Sequence, residues 1–104
     1  MTVEEFARYV IDNLGRASLA NSFNIAEKLN NPNFYSVNSF VIACINYIEE
    51  LQEHSKITPK RYSKLLIALY KCDKQYNSTT KYSTKMVIDN LIIEMWEACN
   101  DRYI

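Results

Sequence analysis

Apolar residues recur along this chain every three to four positions, in five blocks separated by short polar or helix-breaking stretches. Val3, Phe6, Ala7, Val10 and Leu14 form the first block, a spacing that places them on one face of an α-helix. Thr2 and Glu5 match a capping box, in which side chain and backbone amide satisfy each other reciprocally. Gly15 supplies a C-cap, so the first helix is predicted over about 3–14. Leu19, Phe23, Ala26 and Leu29 predict a second over about 18–30. Asn30-Asn31-Pro32 ends it: Asn tolerates the left-handed conformation, and Pro cannot continue a helix.

Ser36 caps a third helix, about 36–54, whose seam of Val37, Phe40, Val41, Cys44, Ile45, Ile48 and Leu51 is the cleanest in the chain. Thr58-Pro59 is the sharpest start signal, an N-cap followed by proline at the first helical position. The fourth helix runs over 59–76 with Tyr62, Leu65, Leu66, Leu69, Cys72 and Tyr76 inward. A polar stretch, Asn77 to Tyr82, reads as a loop. Ser83 then opens a fifth helix, about 83–102, burying Val87, Ile88, Leu91, Ile92, Met95 and Cys99. Five helices with short connections imply an all-α, single-domain antiparallel bundle spanning residues 1–104. At the corner between the second and third helices, Phe34 and Tyr35 are expected to pack as a staple across the joint. The pentapeptide VIDNL occurs at Val10–Leu14 and again at Val87–Leu91, but the flanking sequences differ, so it marks two similar fragments, not a duplication.

Composition agrees with that pattern. Of 104 residues, 48% are hydrophobic and 23% charged, an ordinary globular balance, and a single glycine with two prolines leaves helices uninterrupted. No apolar run is long enough to span a membrane and no charged leader precedes an apolar stretch, which predicts a cytoplasmic protein. Cys44, Cys72 and Cys99 lie far apart, with no CxxC pair and no histidine cluster, and read as reduced core residues.

Charge changes the picture more. The net charge is zero, yet residues 56–85 hold eight basic residues against Asp73 alone, a local balance of +7. The rest of the chain holds eleven acids against four bases, −7. Within the fourth helix Lys60, Lys64, Lys71 and Lys74 fall on a single stripe opposite the Leu face, with Ile67 in its middle. A solvated face explains many such stripes. The sharper reading is a docking surface for an anionic partner, and Ile67 favours a protein, because an interface wants an apolar centre with a charged rim. The third helix carries the opposite sign: Asn46, Glu49, Glu50 and Glu53 lie outward around Ile42. On the fifth, Met86 and Ile93 interrupt an otherwise acidic side formed by Asp89, Glu94, Glu97 and Asp101. Trp96, at the edge of that helix's apolar arc, reads as core.

Enzyme signatures are missing. There is no GxGxxG, P-loop or GxSxG elbow. Glu49 and Glu53 sit one turn apart, but di-iron bundles need Glu-x-x-His on facing helices, and the lone His54 directly follows Glu53. No catalytic residue, metal ligand or cofactor is expected. A DNA-binding helix-turn-helix across IAEKLNNPNFYSVNSFVIACI fails too, since its second helix would meet phosphates with Glu49, Glu50 and Glu53.

The succession NIAEKLNNPNFYSVNSFVIACINYI, followed through HSKITP by RYSKLLIALYKC, resembles the small bacteriocin immunity proteins of low-GC Gram-positive bacteria over about residues 24–76. The resemblance implies a cytosolic helical bundle that protects a producer from its own pore-forming peptide. It implies action at the inner membrane face on a receptor–bacteriocin complex, with specificity carried by the C-terminal half. The family ends in a short, loosely ordered tail, where this chain continues with the predicted fifth helix. The leading expectation is thus a protein-binding immunity or inhibitor protein contacting its partner through Lys60, Lys64, Ile67, Lys71 and Lys74, with or without the 77–82 loop. The alternative is a phage- or plasmid-encoded regulator that uses the same face to bind nucleic acid or to bind a host defence or replication protein. A homodimer through Ile42 or through Met86 and Ile93 is a further possibility.

Overall fold

The computed structural model describes residues 1–31, 33–78 and 83–100. Among them the chain forms five helices: α1 Val3–Leu14, α2 Leu19–Leu29, α3 Val37–Glu53, α4 Pro59–Tyr76 and α5 Thr84–Cys99. No strand is present among these residues. Pro32, the Thr79–Tyr82 part of the predicted loop, and positions 101–102 of the predicted fifth helix lie outside the described residues.

Every helix begins on a hydroxyl cap. The Thr2 side chain accepts from the Glu5 amide at 3.1 Å while the Thr2 amide donates to Glu5 Oε1 at 3.0 Å, completing the capping box. Ser18, Ser36, Thr58 and Ser83 likewise accept from the amide three residues on. A hydroxyl at this place satisfies one of the four orphan N–H groups that any helix start leaves.

Gly15 is the C-cap of α1, as expected, but the left-handed helix end expected at Asn30 is not formed. Gly15 has φ −67° and Asn30 φ −80°, both right-handed. The chain instead uses asparagine side chains. Asn30, Asn77 and Asn100 close α2, α4 and α5, each donating its carboxamide N–H to the carbonyl four residues earlier, at 2.8 to 2.9 Å. φ does not require glycine at position 15, and a Cβ there would meet the Cys99 carbonyl oxygen at 3.4 Å, an ordinary van der Waals contact. The one left-handed non-glycine residue among those described is Ser55, φ 56°, after α3. There Lys56 N–H reaches Leu51 O at 2.8 Å and Ser55 N–H reaches Gln52 O at 3.1 Å, a Schellman ending with serine in the glycine place.

α5 is the central helix. It packs against α4, α2 and α1, whereas α3 packs against α1 and α4. Short connections reverse the chain at each turn, so α1, α3 and α5 run in one sense and α2 and α4 in the other. The main neighbour of α2 is α5 and not either helix adjacent to it in sequence. Its buried positions, Ser22, Ala26 and Leu29, include two small residues one turn apart, which lets the helix axes approach closely. Ser22 is fully buried, and its hydroxyl donates to Ser18 O at 3.0 Å. Leu19 and Phe23, expected inside, stay half-buried at the margin.

One continuous core fills the bundle, with Leu14, Phe40, Ile48, Leu65, Leu69, Ile88, Ile92 and Met95 wholly buried. Phe34 and Tyr35 do pack, but against α1 and not simply across the α2–α3 joint. Phe34 meets Phe6 edge-on at 4.9 Å between centroids, and Tyr35 and Phe40 flank the same ring at 5.8 and 5.6 Å. The Tyr35 hydroxyl also donates to the Met1 carbonyl. At the other end Trp96 Nε1–H donates to Ala17 O at 2.8 Å, and the buried Asn100 carboxamide to Leu14 O at 3.1 Å.

Candidate functional site

The predicted stripe forms the outer face of α4. Its opposite face, Leu65, Ala68, Leu69 and Cys72, is buried in the core. This anchors the helix so that Lys60, Ile67, Lys71 and Lys74 are exposed and Lys64 half-buried. The five residues do not behave alike. Lys71 Nζ lies 2.7 Å from Glu94 Oε1 of α5, so this lysine is drawn into the α4–α5 seam. Lys64 lines a shallow groove in that seam with Ile67, Glu94, Glu97 and Ala98. Among the described residues, Lys60, Lys64 and Lys74 form no ion pair.

The apolar centre is larger than the sequence pattern announced. Ile67 is 66% exposed, and Tyr70, one turn further on, is 55% exposed. Tyr70 carries no chemical motif, but its place three residues after an outward Ile67 is the signal that finds it. Ile42 on α3 is 60% exposed, with Glu49 and Glu53 exposed along the same helix. Of six exposed large apolar residues among those described, these three lie on the adjacent helices α3 and α4. Exposed apolar residues are ordinary singly; clustered within a charged rim they mark contact surfaces. On α5, Met86 is exposed while Ile93 is half-buried.

A second polar constellation ties α1 to α3. Arg8 pairs with Glu50 at 3.3 Å and stacks over the Tyr47 ring at 5.3 Å, while the Tyr47 hydroxyl donates to Asp12 Oδ1 at 2.6 Å. Burial, then the Asp12 carboxylate, push the Tyr47 hydroxyl up to about 12. The network holds the phenol neutral and positions helices.

A cleft of about 400 Å³ between α1 and α2 is lined by Tyr9, Asn13, Arg16, Asn24 and Lys28 among others, with no carboxylate, imidazole or thiol among its lining residues. His54 is exposed beside Arg8, Glu50 and Lys56 in a second, of about 330 Å³. The three cysteines are buried. Burial raises the Cys44 thiol far above its ordinary range and lifts Cys72 to about 12, so both stay protonated at neutral pH, the unreactive form. Among the described residues, no group of three or more His, Cys, Asp or Glu is placed to hold a metal ion. No described helix is long and apolar enough to cross a membrane. Comparison with family models, curated proteins and solved structures finds no match to this chain.

Proposed function

We propose that this chain is a small non-enzymatic protein-binding module of the immunity or inhibitor type, acting in the cytoplasm by docking the outer face of α4 onto an acidic protein partner. The observation that carries the reading is Ile67 and Tyr70, both more than half exposed, set among Lys60, Lys64 and Lys74, which have no acid partner among the described residues. An apolar centre is desolvated on contact and supplies affinity, while the lysine rim steers an acidic partner and excludes basic ones. The resemblance to bacteriocin immunity proteins supports the same class, with a receptor–bacteriocin complex at the inner membrane face as the partner. Nucleic acid fits less well: Glu49 and Glu53 stand exposed on the adjacent helix and repel phosphates.

Photo-crosslinking in the host cell tests the reading. A benzophenone side chain at position 67 is expected to yield a discrete adduct with a second, acidic protein. Lys60→Glu with Lys74→Glu should abolish that adduct, and a probe at Asn24 on α2 should never form it. The same adducts from both positions, an adduct sensitive to nuclease, or an adduct with this chain alone would each reject the assignment.

A further inference from the structure

We propose that the α3/α4 face also binds a second copy of this chain, in a two-fold dimer in which the basic α4 of each copy lies over the acidic α3 of the other. The face carries both halves of a complementary pair. Glu49 and Glu53 are exposed on α3, Lys60 and Lys74 are exposed on the outer side of α4 with Lys64 half-buried at its α5 edge, and none of the five forms an ion pair among the described residues. Ile42 on one helix and Ile67 and Tyr70 on the other supply an apolar centre between these charges.

The register decides whether a symmetric pairing can use them. Asn77 at the end of α4 donates to Asn38 at the start of α3 at 3.2 Å, and residues 54–58 join the opposite ends. The two helices are therefore antiparallel, with Glu53 and Lys60 at one end of the face and Asn38 and Lys74 at the other. A two-fold axis running along the helices keeps each residue at its level and exchanges α3 for α4. It brings Glu53 and Glu49 of the second copy to the level of Lys60 and Lys64, and Ile42 of the second copy close to the level of Tyr70. Every contact occurs twice, so the assembly closes at two copies and does not grow. With zero net charge, no overall repulsion opposes it.

Size sets the strength. Helices of 17 and 18 residues at about 1.5 Å rise, lying about 10 Å apart, make a strip of about 500 Å² per copy. That is below the roughly 800 Å² per partner of a standard stable interface, so a reversible dimer in the micromolar range is expected. The inference rests on the face assigned above as the docking site, and it makes self-association a competitor of that partner. Its test needs no partner, so the two can fail separately.

Analytical ultracentrifugation of the full chain, from about 1 to 300 μM, reads the outcome directly. The wild type should pass reversibly from monomer to dimer, with the transition moving to higher concentration in high salt. Lys60→Glu/Lys64→Glu and Glu49→Lys/Glu53→Lys should each weaken the dimer about 100-fold while leaving helical circular dichroism unchanged. Mixing the two variants should restore a dimer, because their reversed charges are again complementary. A wild type monomeric throughout, a dimer indifferent to both reversals, no recovery on mixing, or growth beyond two copies would overturn the proposal.

Discussion

A single residue, Ser55, holds the turn from which the basic helix starts. Its φ of 56° places a side-chain-bearing residue in the left-handed region, which costs roughly 1–2 kcal/mol where glycine is free of that penalty. The Schellman bonds of Ser55 and Lys56 onto α3 depend on this conformation, and they set where Thr58 can cap α4. Ser55→Gly keeps the geometry and removes the strain, at some expense in unfolded-chain entropy. The variant should gain about 0.5–1 kcal/mol, seen as a rise in Tm of roughly 2–8 °C. A lower Tm would show that the serine side chain itself holds the turn. The residue scale is also where the sequence was least legible. A positive φ at serine leaves no trace in hydrophobic spacing, and the position expected to be left-handed, Asn30, is right-handed.

Helices, by contrast, were legible almost to the residue, because each has a hydroxyl cap and a clear apolar period. Thr58-Pro59 and the Leu face fixed α4 at Pro59–Tyr76. Which helix meets which was not legible. An amphipathic stripe says that a face is buried but not against what, and nothing in Leu19–Leu29 announces that α2 leans on α5. The same gap hid part of the candidate surface. The lysine period is visible in α4 alone, yet the loss of Lys71 to Glu94 depends on how α4 and α5 are staggered. What locks α5 against the α1–α2 turn is the buried Asn100 carboxamide, bonded to both Leu14 O and Trp96 O. Asn100→Ala leaves the Leu14 carbonyl without that donor, so it should cost about 1–3 kcal/mol in chemical denaturation. Asn77→Ala, at an exposed helix end, should cost less than about 1 kcal/mol. Equal losses would mean that Asn100 acts only as an ordinary cap.

At the scale of the whole molecule, the raised acids Tyr47 and Cys72 bear on how stability responds to alkali. The Tyr47 hydroxyl titrates near 12 in the folded chain against 10 for an ordinary tyrosine. The folded state therefore keeps a proton that the unfolded chain gives up first. That contribution is fully present below pH 10 and is lost as pH rises through about 12. Cys72, also lifted to about 12, adds to the loss in the same direction. Wild-type stability should fall steeply across this window. Tyr47→Phe, which has no proton to release, should show a shallower fall between pH 10 and 12 when denaturation midpoints are compared. Identical slopes would remove Tyr47 as a cause.

The central position of α5 also bears on how the chain is made. Of the five helices, α1 is the first to leave the ribosome and α5 the last, with 69 residues between Leu14 and Thr84. At ordinary synthesis rates that is a wait of about 4–14 s. During it, Leu14, Ala26 and Leu69 have no α5 to close over them. The nascent chain spends this interval with the apolar faces that α5 covers open to water and to other chains. It is then that a holding chaperone, or premature association with another nascent copy, has most to act upon.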